Sequence, residues 1–188
     1  VVDKETITAK SDIFTTLALL KANEAKIDLK TKSLNSDYEV LIANLTDLEP
    51  LIGKKLYGSV RVTGNIKKEE GTQAVDAHTQ FLGGQIDALL VDTKAEVTYK
   101  DVQIRDLFSL VGEPAVAFGK INGVATFDDI RPLMRKGKII LKVDEGELVG
   151  EQMRALSDLK LPQVTTFNAV SDINVEKNIA TFEGKIAS

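Results

Sequence analysis

The sequence predicts a mainly β protein built on an antiparallel, meandering sheet, and three observations predict it. Apolar and polar residues alternate over long stretches, turn signals separate those stretches at short intervals, and helical periodicity is confined to a few brief segments. The clearest stretch runs from Leu56 to Leu90. Leu56, Gly58, Val60, Val62, Gly64 and Ile66 point one way, against Tyr57, Ser59, Arg61, Thr63 and Asn65. Val75, Ala77, Thr79 and Phe81 then oppose Asp76, His78 and Gln80, and after Gly83-Gly84 the pattern returns with Ile86, Ala88 and Leu90. Side chains alternate faces along a strand, so one side of this sheet is apolar. That side must be covered by a second layer or hold something apolar.

The elements follow in order. Residues 3–10 alternate as a strand, Ile13 to Lys21 leans to strand through Thr15 and Thr16, and Ala25 to Thr31 alternates again. Asn35-Ser36 is a turn signal before a strand from Tyr38 to Asn44. Thr46 to Pro50 is a capped helical turn leading to Gly53. Strands at 56–67 and 72–82 flank the polar hairpin from Lys67 to Gly71, and strands at 85–92 and 94–104 follow. Arg105 to Val111 predicts one or two helical turns ended by Gly112. A long strand spans Ala115 to Asp128, and Arg131 to Arg135 connects it onward. Lys138 to Asp144 is a strand, Glu145-Gly146 a turn, and Glu147 to Val149 a further short strand. Gln152 to Leu159 predicts a short helix closed by Pro162, and a hairpin of 164–175 and 178–187 ends the chain. No linker interrupts this order, so residues 1–188 form a single β unit.

Composition narrows the chemistry. The chain has 188 residues, 5% aromatic content and no Trp, so its apolar side is aliphatic. The net charge is −4 and the Lys and Arg residues are scattered, which argues against nucleic-acid binding. The absence of Cys removes disulfides, thiolate metal sites and Cys nucleophiles. No run of 18 apolar residues is present to span a membrane as a helix. The N-terminus, Val-Val-Asp-Lys, carries neither an initiator Met nor a leader pattern and is expected to be a cut inside a longer protein.

Candidate catalytic groups do not converge. His78, the only histidine, falls on the polar face near Asp76, where it could act as a base but fits a solvated strand residue better. A single His excludes a His-rich metal site. Asp87, Asp92, Asp128, Asp129, Asp144, Glu145 and Glu147 lie in turns or on polar faces, where solvated carboxylates are the rule. Gly83-Gly84 lies between two strands and lacks the helix N-terminus that a phosphate cradle needs. Leu107-Phe108-Ser109-Leu110 fits either a lipid-touching helix or a plug over the sheet. The expectation is a non-enzymatic protein with no catalytic residues, no metal and no cofactor.

The run Asp106-Leu107-Phe108-Ser109-Leu110-Val111-Gly112-Glu113-Pro114, followed by Gly119-Lys120-Ile121-Asn122-Gly123-Val124-Ala125-Thr126-Phe127, resembles the C-terminal region of AsmA-like proteins. Gly137 to Gly150 is similar to that family's glycine-bounded strand segment, with Glu145 as an insertion, and the helix and hairpin after it match in style. Leu56 to Leu90 resembles the repeats of the related TamB and YhdP proteins. The resemblance covers roughly residues 50–188 and rests on glycine spacing and alternation. It implies a sheet curled into an open, taco-like β-groove with a few short helices, apolar inside and polar outside. It also implies a piece of a longer periplasmic protein of a Gram-negative envelope, anchored in the inner membrane by a transmembrane helix that is absent from this fragment. The implied function is phospholipid transport between the inner and outer membranes. The implied partners are a phospholipid or other acyl-chain ligand and an outer-membrane assembly partner. An alternative role within outer-membrane biogenesis is templating client β-strands at an open sheet edge.

A dozen strands at ~4.8 Å spacing make a trough ~50 Å long. Glycines at 58, 64, 119 and 123 would permit sharp curvature. The residues expected to line the trough and touch lipid are Val60, Val62, Val75, Phe81, Ile86, Leu90, Ile121, Phe127, Ile139, Leu141, Phe167, Ile173, Phe182 and Ile186. The competing reading for each is core packing in a closed β-sandwich.

Overall fold

The computed structural model describes residues 5–151, 164–177 and 179–187. Its strands are β1 (Thr6–Phe14), β2 (Leu19–Asp28), β3 (Ser33–Ile42), β4 (Val60–Glu69), β5 (Thr72–Phe81), β6 (Gly84–Val91), β7 (Lys94–Gln103), β8 (Ala117–Asp129), β9 (Lys136–Val149), β10 (Val164–Glu176) and β11 (Ile179–Ala187). They form one 11-stranded sheet in which spatial order equals chain order. Each strand pairs antiparallel with the one before it. Because β1 and β11 do not pair with each other, the curled sheet stays open rather than closing as a barrel. The expected mainly β meander is therefore the fold.

Helical segments interrupt the meander between β3 and β4 and between β7 and β8. Between β3 and β4, Asn44 caps a 3-10 turn (Leu45–Leu48) by accepting the Thr46 N–H, and α1 (Glu49–Ile52) follows to Gly53. Between β7 and β8, α2 (Ile104–Val111) ends at Gly112. The sequence placed both correctly. The helix expected at Gln152 to Leu159 lies outside the described residues.

Several boundaries differ from expectation. The segment Ile13 to Lys21 is not one strand: Thr15 turns the chain by accepting the N–H groups of Leu17 and Ala18, so β1 ends at Phe14 and β2 begins at Leu19. Asn35-Ser36 is not a turn but part of β3. The turn comes earlier, where Asp28 Oδ1 accepts the N–H groups of Lys30 and Thr31. Leu56 to Ser59 precede β4 rather than belonging to it, so Gly58 lies outside the strands.

Glu145-Gly146 is likewise not a turn, because β9 runs unbroken through it. Glu145 has a left-handed φ of 54° and sits at a shift of register with both β8 and β10. It is a β-bulge, one extra residue absorbed by a local twist. Glu24 (φ 55°) and Asp101 (φ 56°) mark equivalent shifts in β2 and β7. These bulges bend a sheet whose alternation otherwise reads cleanly.

Curvature also draws on glycine at two close approaches. A Cβ on Gly64 would collide with the Asp76 carbonyl, and one on Gly123 with the Ile140 carbonyl. At the first of these the β4–β5 ladder is rearranged. Asn65 N–H donates to Asp76 Oδ1 at 3.1 Å instead of to the backbone, and Tyr38 reaches across β4 to donate its hydroxyl to the Asp76 carbonyl at 2.8 Å.

The sheet has no full second layer among the described residues. The buried apolar residues are only Leu45, Val102, Val116, Ala117 and Ala125, and no large side chain is fully buried. Packing concentrates where α2 lies against β7 and β8.

Candidate functional site

The register defines the inner face. One row crosses it through Ala77, Ala88, Val97, Ala125, Ile139, Ile173 and Phe182. A second passes through Thr79, Ile86, Tyr99, Gly123, Leu141, Ser171 and Gly184. A third runs Ile66, Val75, Leu90, Ala95, Phe127, Gly137, Val175 and Ala180. Beyond the Asp101 bulge a fourth joins Val102, Ile121, Val143, Ala169 and Ile186. Opposed residues in an antiparallel pair share a face, so these rows form mostly apolar bands with small residues interspersed and Thr79, Tyr99 and Ser171 as polar members of the second.

Every residue expected to line the trough lies on this face. Val60 and Val62 join it from β4 opposite Ile42 and Val40, Phe81 opposite Gly84, and Phe167 opposite Gly146. The structure does not bring them all to one place. Ile86, Ile121, Ile139, Leu141 and Ile173 gather around a cavity of about 270 Å³ roofed by Leu107 of α2. Val60, Val62, Val75, Leu90, Phe127 and Phe167 are half-buried elsewhere on the same face. Phe81 lines a separate, more polar hollow with Tyr57, Asp106 and Leu110. Phe182 and Ile186, on the last strand, are 68% and 76% exposed.

Leu82, Tyr99 and Val102 also line the cavity without having been singled out from the sequence, and Leu107 joins them from the segment read there as a lipid-touching helix or a plug. Tyr99 was findable, because it continues the alternation of Ala95 and Val97. Val102 was hidden because the bulge at Asp101 shifts its parity. Tyr99 is the one polar side chain in the lining, and burial raises its pKa above the ordinary phenol value. A cavity so lined has aliphatic walls and few groups to orient a polar ligand.

The opposite, convex face is polar and cross-linked. His78 Nδ1 lies 2.7 Å from Asp87 Oδ1, and its Nε2 lies 3.2 Å from Asp76 Oδ1, joining β5 to β6. Gln85 donates to the other Asp87 oxygen at 2.7 Å. The Asp87 hydrogen bond holds the His78 pKa above its ordinary value, and its partner carboxyl is held below the usual carboxylate range by the same bond. Asn65 Nδ2 extends the network by donating to Asn35 at 2.7 Å and Asp37 at 2.8 Å. The two acids contact different ring nitrogens of His78. No cluster of three or more His, Cys, Asp or Glu residues suited to a metal occurs among the described residues. No described helix is long and apolar enough to cross a membrane.

Comparison with protein-family models, with curated proteins and with solved structures finds no match for this chain.

Proposed function

We propose that the chain is a non-enzymatic segment of a lipid-binding groove, supporting the passage of phospholipid between the inner and outer membranes of a bacterial envelope. The observation that carries this reading is the inner face itself. Apolar rows cross the open sheet, and among the described residues the helix that lies over them is α2. A sheet that size, left uncovered, leaves hydrocarbon in contact with water, and an acyl chain would relieve that cost. Each buried methylene contributes ~0.8 kcal/mol, so a chain laid along the trough would be held without polar contacts. The headgroup would remain at the open side. Aliphatic walls repeated along the sheet suit many weak, equivalent positions and therefore sliding.

In this reading the chain works in the periplasm as part of a longer protein anchored in the inner membrane, as the AsmA-like resemblance implies. A second reading, templating of client β-strands, is favoured by one feature: β1 and β11 are exposed along their whole lengths. Purified protein, extracted with organic solvent and analysed by mass spectrometry, tests the first reading. It predicts bound phospholipid or fatty acid near stoichiometric amounts. Absence of any acyl species, before and after incubation with phospholipid vesicles, refutes it.

A further inference from the structure

We propose that β11 pairs antiparallel with β11 of a second copy of this chain, about a two-fold axis passing through Gly184. Among the described residues β11 has one partner strand, β10, and every β11 residue is exposed. Among the described residues its outer edge is a row of unpaired backbone donors and acceptors, which favours a further strand. Its side chains specify which strand. Phe182 and Ile186 lie on the apolar inner face, opposite Ile173 and Ala169. Glu183 and Lys185 lie on the convex face, opposite Asp172 and Val170.

With Gly184 facing its own copy, Glu183 faces Lys185 of the second chain, and the symmetry makes that contact twice. Phe182 then faces Ile186 of the second chain, also twice. Opposite charges in direct cross-strand register stabilise a sheet, and like charges there destabilise it. A register centred on residue 183 sets two glutamates against each other, and one centred on residue 185 sets two lysines against each other. The charges thus favour this register over its two neighbours. Asp172, the acid beside Glu183, is already held by Lys138 at 3.3 Å, which leaves Lys185 for the partner chain. The axis stands perpendicular to the sheet, so both inner faces open to the same side and the apolar rows run on across the junction. β1 carries a similar spacing in Lys10-Ser11-Asp12, but self-pairing there would set Phe14 against Thr8 on the convex face. β11 is therefore the better self-complement. This inference does not depend on what the trough holds.

Sedimentation velocity on the 188-residue chain at low ionic strength, with Glu183→Lys, Lys185→Glu and the double exchange, tests it. Circular dichroism verifies that each variant keeps its sheet. The wild type is expected to dimerise, each single reversal to weaken the dimer by about tenfold or more, and the double exchange to restore it to within about threefold. A wild type that stays monomeric overturns the proposal. So do single reversals that dimerise like the wild type, a double exchange that fails to rescue, and a dimer lost on Lys10→Glu instead.

Discussion

Asn168 Oδ1 accepts the backbone N–H of Glu145 at 3.0 Å, from the strand next to the bulge that Glu145 makes. Asn122 does the same for Asp101, also at 3.0 Å. A bulge leaves one peptide outside the ladder, and in both cases an asparagine on the following strand takes up the orphaned donor. Asn168→Ala would leave the Glu145 N–H to water and is expected to lower the unfolding free energy by about 1 kcal/mol. Urea unfolding measures this, with an unchanged slope expected because the exposed surface stays the same. A variant as stable as the wild type would show that the clasp contributes nothing.

Tyr38 and Gly64 support the rearranged ladder at Asp76 in different ways. Tyr38→Phe removes the hydroxyl that satisfies the Asp76 carbonyl and is expected to cost about 1 kcal/mol. Gly64→Ala forces a methyl group against that carbonyl and is expected to cost more, about 2 kcal/mol. The order of the two thermal midpoints tests the arrangement. If Gly64→Ala proved the milder change, the close approach of β4 and β5 would be wrong.

The His78 clamp predicts a pH dependence with a definite sign. Its folded pKa is raised, chiefly by the hydrogen bond to Asp87. The associated stability is therefore full below the unfolded value near 6.5 and is lost as pH rises through the folded value. Asp87, whose pKa is lowered, acts in the opposite window: its contribution is present above the unfolded carboxylate value and is lost as pH falls through the folded one. His78 is exposed and Asp87 only partly buried, so the effect on stability is small. An NMR titration of the single imidazole reads the shift directly. Asp87→Asn is expected to bring the His78 pKa down toward 6.5, and an unmoved titration would deny the contact.

Much of this fold was legible because alternation is a local signal. Val75 to Phe81 and Ile86 to Leu90 lie on the face their spacing dictated, and the turn through Gly83 joins them as expected. Legibility ended where a strand stores an extra residue. Glu145 in β9 looks in sequence like a turn with Gly146, because nothing local distinguishes a left-handed bulge residue from a hairpin residue. The same ambiguity at Glu24 made β2 look like two strands. At the candidate site, the residues of one face were readable from alternation. Which of them meet under α2 depends on how the sheet curls, and Ile86 and Ile173, far apart in sequence, become neighbours of one cavity only through that curl.

The central claim is that the inner face holds acyl chains, and its most direct test is titration with a fluorescent fatty acid whose emission rises in apolar surroundings. The wild type is expected to bind it saturably. Ile121→Glu, which puts a carboxylate into the α2-roofed cavity, is expected to lose most of that binding while its far-ultraviolet circular dichroism stays unchanged. A folded wild type that gives no saturable signal, or an Ile121→Glu variant that binds equally well, would contradict the account.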